Sequence, residues 1–309
     1  MTERALEGDE HLIAEGVDAE LVEANRRLYD GWAGVFIFAF AALYAAFHMA
    51  ALNGLSIERL TGVAIPFLPT FPMETWNFRI VHIAGALALG FMMFAGRSDF
   101  PERRETRLLG LLGWLLAGPA LFALGVALTF AGEIAAGRMW NGIDPEIRHN
   151  EIYLFGLPLL VSTGGGIALS WLHRRRRDGF AAPDVALAVC ALAVATYLIT
   201  IYGTVMRNST GTPFAPIGIS IAALAGAALI MELTRRVAGL ALIVIAAIFL
   251  GYVFAGPYLP GFLNAPPVTW ERFFSQVYTD AGILGPTTAV SSTYIILFII
   301  FAAFLQASK

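Results

Sequence analysis

Two histidines are the residues in this sequence best placed to do chemistry. His48 and His82 lie in neighbouring apolar stretches. His48 is about sixteen residues into the first stretch and His82 about four into the second, which runs the other way. At a rise of about 1.5 Å per residue, both rings reach a similar depth in the outer half of a bilayer. Two imidazoles at one depth on adjacent helices could ligate a b-type haem axially. They could equally hydrogen-bond to neighbouring helices or interfacial water, and no other cofactor motif accompanies them. Apart from this haem alternative no metal or cofactor is expected, and no catalytic residue.

Other chemistry is sparse. The sequence has no Walker loop, no Gly-x-Ser-x-Gly and no His-Glu-x-x-His. Gly164, Gly165 and Gly166 fall inside an apolar stretch, where they cannot cradle phosphate. Ionisable side chains within a bilayer usually mark ion or proton paths. Here Arg79 and Glu232 stand at the edges of apolar stretches, where snorkelling to the interface explains them. The sequence reads as a non-enzyme. No basic patch with interleaved aromatics points to nucleic acid.

The elements that must carry these residues are membrane spans. Of the 309 residues, 58% are hydrophobic and 14% charged, and the mean hydropathy is +0.69. Soluble domains are closer to half apolar and a quarter charged. About 20 apolar residues cross a bilayer as a helix, and eight stretches qualify: Trp32–Leu52, Phe78–Ala95, Leu109–Ala131, Ile152–Leu172, Pro183–Tyr202, Ala215–Met231, Val237–Ala255 and Pro286–Leu305. Runs of this kind are helical in lipid, because an open strand leaves its backbone groups unpaired. The expected fold is an all-α integral membrane bundle.

Arginine sets the orientation. Nineteen of the twenty positive residues are Arg, with Lys309 the one lysine. Arg26 and Arg27 precede span one. Arg97, Arg103, Arg104 and Arg107 follow span two. Arg174, Arg175, Arg176 and Arg177 follow span four. Arg235 and Arg236 are expected between spans six and seven. With eight alternating spans all of these fall on one side, which the positive-inside rule makes cytoplasmic together with both termini. Small residues at Gly85, Gly90, Gly164 to Gly166, Ala222 and Gly226 predict close helix packing. Cys190 lies within an apolar run and reads as a small core residue. Leu12, Ile13, Val17, Leu21 and Leu28 suggest an amphipathic helix before span one.

One segment is amphipathic in a different way. Trp270, Phe273, Phe274, Val277 and Tyr278 recur at helical spacing between spans seven and eight. This aromatic face predicts an interfacial anchor on the outer side. Gly256-Pro257 and Leu259-Pro260-Gly261 before it stop span seven.

The last third also resembles a known family. The residues that carry the resemblance are Glu232-Leu-Thr-Arg-Arg-Val-Ala-Gly-Leu-Ala-Leu, Gly251-Tyr-Val-Phe-Ala-Gly-Pro-Tyr-Leu-Pro-Gly, and Gly282-Ile-Leu-Gly-Pro-Thr-Thr-Ala-Val-Ser-Ser-Thr-Tyr. Their order and spacing resemble the fused permeases of tripartite ATP-independent periplasmic (TRAP) transporters of the TAXI type. Arg79-Ile-Val-His82 resembles the small-subunit half of such fusions. The resemblance implies a cation-coupled, usually sodium-driven, uptake system for organic acids in a bacterial inner membrane. Its partners would be a periplasmic solute-binding protein, the lipid bilayer and the rest of the large membrane subunit.

On this reading residues 1–31 form a cytoplasmic segment and 32–231 a small-subunit-like scaffold, with an apparently inserted pair of spans at 109–172. Residues 232–309 begin a large-subunit-like domain. The resemblance puts the substrate site, and the site of the coupling sodium ion, beyond Lys309, so the chain reads as an N-terminal portion unable to transport alone. The outer loops Asn53–Trp76 and Gly132–Glu151, with Arg138 and Arg148, are candidates for meeting the binding protein. An assembly subunit of a different membrane complex and a small b-haem redox protein are the alternatives. All these readings require a bilayer, so removing detergent from the purified protein should aggregate it. A monodisperse species sedimenting in plain buffer would contradict the span assignment.

Overall fold

The computed structural model describes residues 25–55, 57–63, 73–97, 107–172, 179–201, 209–212 and 214–308. These residues form no strand beyond an isolated antiparallel bridge between Arg26 and Phe94. Eight helices are long and apolar enough to span a membrane: Gly31–Leu52, Thr75–Met93, Leu108–Ala135, Ile152–Leu172, Ala182–Ile201, Ile217–Ala238, Ala241–Tyr258 and Pro286–Ala307. The protein is therefore an all-α, multi-pass membrane bundle, and its spans match those expected from hydropathy to within about four residues, except that span six runs on past Met231 to Ala238. Of the arginine clusters, Arg103, Arg104 and Arg174 to Arg177 lie outside the described residues, as do Leu12, Ile13, Val17 and Leu21.

Span five is the hub. Of its most apolar stretch 72% is buried, against 6% for spans seven and eight. It packs most extensively on span three. Span three turns Ala117, Ala120, Ala123 and Ala127 inward, a stripe at roughly 3.5-residue spacing that ends in buried Phe130. Span five answers with Ala186, Ala191 and Ala193. Lipid gives no hydrophobic push between helices, so close approach of small residues is what holds such a pair. The pair at 109–172 packs within this body. Glycines act similarly: Gly90 faces Leu233, Gly166 faces Leu187 and Gly226 faces the Tyr278 ring, each too close to admit a Cβ. Cys190 is buried and free.

One end of the bundle is tied by buried charge. Asp184, in the first turn of span five, receives Arg27 on one carboxylate oxygen and Arg236 Nη1 at 2.8 Å on the other. Arg236 Nε also reaches Glu232 at 2.8 Å, and its Nη1 donates to the Phe94 carbonyl at 2.9 Å. Glu232 accepts further from Arg235 at 2.8 Å, from Ser170 at 3.2 Å and from Trp171 Nε1 at 3.2 Å. Arg27 Nη1 and Arg235 Nη2 satisfy the carbonyls of Gly179 and Gly96 at 2.8 and 3.0 Å. The segment before span one runs beside the end of span two, with Arg27 N donating to the Met93 carbonyl and Ala95 N to that of Asn25. Spans two, four and six therefore end where spans one and five begin, which is the alternation that the arginines called for.

Two expectations are corrected here. Glu232 does not snorkel: its side chain is 2% exposed and lies inside this network. Arg235 and Arg236 do not lie in a loop, because span six runs unbroken to Ala238 and holds both in its last turn. The helix ends at Gly239, whose φ of +80° suits glycine.

Removing one partner of a buried ion pair strands the other in a medium that cannot solvate it, at about 3–5 kcal/mol. Asp184→Ala takes the carboxylate from Arg27 and leaves Arg236 with Glu232 alone. It should lower the apparent melting temperature in detergent sharply. Arg138→Ala, which breaks the exposed pair with Glu133, should cost less than about 1 kcal/mol. Equal losses would contradict the role given to Asp184.

Candidate functional site

At the opposite end the structure brings His48 and His82 together. Tyr44 and His48 lie one turn apart on span one, and His82 faces them from span two. His48 Nε2 is 2.9 Å from His82 Nδ1, with the rings at 78° and their centroids 5.1 Å apart. His48 Nδ1 donates to the Tyr44 carbonyl at 2.8 Å. The Tyr44 hydroxyl donates to the His82 carbonyl at 2.8 Å and lies 2.9 Å from His82 Nδ1. Span eight completes the set, with Ser291 Oγ 3.1 Å from His82 Nε2. The Tyr44 ring reaches this position by lying over Gly85, where any Cβ would collide with it. His48 is fully buried and His82 nearly so.

This geometry does not fit the haem alternative. Axial ligation places an iron between the two nitrogens, with metal–imidazole bonds of about 2 Å on each side. The facing nitrogens here already share a hydrogen bond, and the outer nitrogens are turned to Tyr44 and Ser291. The depth argument found the right pair. It could not give the ring directions, which decide between ligation and hydrogen bonding.

Beside His82 opens a cleft of ≈ 1000 Å³. Its apolar walls include Leu87 of span two and Leu233 of span six, with Phe273 and Ile283 closing the outer side. The polar wall comprises His82, Thr234, Gln276, Thr287, Thr288 and Ser291. Among the described residues His82 is the one ionisable side chain in this lining. The cleft therefore offers hydroxyl, amide and imidazole groups but no cation to pair with a carboxylate. Arg79, one turn before Ile83 of the cleft wall, donates to the Leu284 carbonyl at 2.5 Å. It is thus engaged with protein rather than snorkelling to the interface, and with His82 it fastens span two to the start of span eight. Ser291 opens a π-helical turn that runs to Ile295. Such turns recur at functional sites.

The aromatic segment is helical over Trp270–Val277, as its spacing predicted, but its face mainly packs on protein. Phe274 and Tyr278 are buried, the latter against Gly226 of span six, while Phe273 and Phe274 meet Phe254 of span seven. Val277 lies half-buried in the cleft wall. Ser220 donates to the Glu271 carbonyl at 2.8 Å and pins the helix to span six. Trp270 alone of the five is exposed, so the anchor reading is corrected to a docking helix. Burial pushes the Tyr278 phenol well up.

Sequence reasoning missed Glu151, which it left in an outer loop. Glu151 is buried one residue before span four. It accepts from the Tyr197 hydroxyl and, at 3.1 Å, from the Gly218 amide at the start of span six. π-helical turns follow on both partners, at Ile152–Gly156 and from Leu198 to Ile201. Burial pushes its carboxyl up to about 7, against the two hydrogen bonds that pull it down. A glutamate abutting an apolar run was the available signal, but its partners are distant in sequence.

Arg97 is exposed and donates to the Trp171 carbonyl at 3.4 Å, and Arg107 begins the third helix. Among the described residues no three His, Cys, Asp or Glu side chains gather as a metal site. Compared with protein-family models, curated proteins and solved structures, the chain has no significant match.

A carboxyl with a folded pKa above its unfolded value holds its proton more tightly in the fold. Stability from Glu151 is therefore complete below about 4.5 and falls as pH rises from there to about 7. Each unit in that window removes at most about 1.4 kcal/mol. Glu151→Gln should flatten this decline when melting temperatures are compared across the window. A wild-type decline that persists in the variant would remove Glu151 as its source.

Proposed function

We propose that this chain is the membrane scaffold component of a cation-coupled, binding-protein-dependent secondary transporter of the TRAP type, taking up organic acids across a bacterial inner membrane. The family resemblance of the last third supports the reading. So does one structural contrast. Spans two to six pack as one body, whereas spans seven and eight, within the resembling region, carry no buried residue in their helical segments 241–255 and 296–307. Their apolar faces, including Ile248, Phe249, Phe298 and Phe301, lie open. They are fastened to the body at their outer ends by the Trp270–Val277 helix, Arg79 and His82. A static body carrying laterally open helices suits a scaffold on which further membrane helices assemble, with lipid on the remainder.

Among the described residues the cleft lining holds no arginine or lysine, which agrees with a substrate site elsewhere in the assembly. The outer loop at 132–151 remains the candidate for meeting the binding protein. In it Arg138 pairs with Glu133 at 2.6 Å and Arg148 reaches Asn141 at 3.1 Å.

The test is uptake by membrane vesicles from cells carrying the intact locus. Labelled mono- and dicarboxylates should accumulate only when a sodium gradient and a periplasmic protein fraction are both supplied. Deleting the coding region for residues 1–309 should abolish that accumulation. Uptake that survives the deletion, or that needs no periplasmic fraction, overturns the proposal.

A further inference from the structure

The hydrogen bonds around His48 and His82 fix where their hydrogens lie. A carbonyl oxygen only accepts, so the nitrogen facing the Tyr44 carbonyl, His48 Nδ1, carries a hydrogen. In the neutral ring His48 Nε2 is then an acceptor. Its partner at 2.9 Å, His82 Nδ1, must donate, since otherwise two lone pairs would face each other. The Tyr44 hydroxyl spends its one hydrogen on the His82 carbonyl and presents an acceptor to the same nitrogen. His82 Nε2 is left as an acceptor, so Ser291 donates to it. The chain runs in one direction: Ser291 to His82, His82 to His48, His48 to the Tyr44 carbonyl. Both rings hold the Nδ1–H tautomer.

From this geometry we infer that His48 and His82 form a binding site for a single proton, entered from the cleft and read out at Ser291. The neutral pair holds two hydrogens on four ring nitrogens. A third, from water in the cleft, goes onto His82 Nε2. The pair then carries one positive charge, shared across the central hydrogen bond. Ser291 changes from donor to acceptor, and its own hydrogen must find a new partner at the π-helical turn of span eight. A fourth hydrogen is refused. It would put two N–H groups head to head across 2.9 Å, with two positive charges in one buried site.

The surroundings leave this exchange to the pair. Span one contributes the Tyr44 phenol, and Arg79 of span two is turned to the Leu284 carbonyl. Span eight brings the hydroxyls of Thr287, Thr288 and Ser291, with Tyr294 exposed. The helix at 270–277 adds Gln276, and the nearby carboxylates, Asp280 and Glu74, are exposed. Among the described residues no carboxylate lines the cleft to take the proton instead. The inference stands apart from the transporter reading, because it concerns protonation alone.

Imidazole 15N NMR of the protein in lipid nanodiscs tests it, with His11, His149 and His173 replaced by Gln. At about pH 8 both remaining rings should be Nδ1–H tautomers, the minority form of free histidine. Acidification to about pH 3, past the range where exposed imidazoles charge because burial disfavours the charged ring, should add one proton per pair. An Nε2–H tautomer on either ring at high pH overturns the inference. Uptake of two protons, or of none, does so as well. Ser291→Ala removes one end of the chain and spares the imidazole–imidazole bond. It should shift the His82 Nε2 resonance and leave His48 Nδ1 in place. If both move alike, or neither moves, the assignment to Ser291 fails.

Discussion

Asp184 holds this bundle at one end because two buried guanidinium groups depend on it. Neither Arg27 nor Arg236 reaches water, and a charge removed from water persists only when paired and hydrogen-bonded. The carboxylate gives one oxygen to each. Through Arg236 and Glu232 the network reaches Arg235, Ser170 and Trp171, so that it joins the segment before span one to spans four, five and six. Carbonyls left without a helical partner where span two ends, at Phe94 and Gly96, take up remaining guanidinium hydrogens. Three arginines meet two carboxylates, and the aromatic faces of Phe91 and Trp171 lie under Arg236 and Arg235 at 4.9 and 5.0 Å. Stacking of this kind stabilises a guanidinium that is partly unpaired.

With that end fixed, the middle of the bundle needs only contact. The alanine stripe of span three against the small residues of span five brings backbones close without specifying any polar partner. The other end is different in kind. Its polar groups are fewer and lie in two separate places: Glu151 with Tyr197, and the histidine pair with Ser291. Each is bordered by π-helical turns, where the regular backbone ladder is already interrupted. Stability and proton chemistry are thus separated along the membrane normal, and span eight, the element that brings Ser291 to the second place, is among the least buried.

Much of this architecture was legible in the chain. The eight spans follow from hydropathy because lipid enforces helices of one length. Their alternation follows from arginine placement, and the docked glycines from residue size. The pairing of His48 with His82 came from depth alone, since two antiparallel helices have comparable heights at computable positions. The aromatic helix at 270–277 was equally plain in its period, but what its face met was not. An apolar face looks the same whether it meets lipid or another helix.

The sequence by itself determined that this protein lives in a bilayer, how often it crosses and which residues share a level, because those properties depend on local composition and the fixed rise of a helix. Only the tertiary structure decided that Glu232, Arg235 and Arg236 are interior rather than loop residues, that Glu151 is buried, and that the two imidazoles bond to each other. Those outcomes depend on partners up to about two hundred residues away and on the direction each side chain takes. Neither is encoded in the pattern of any single helix.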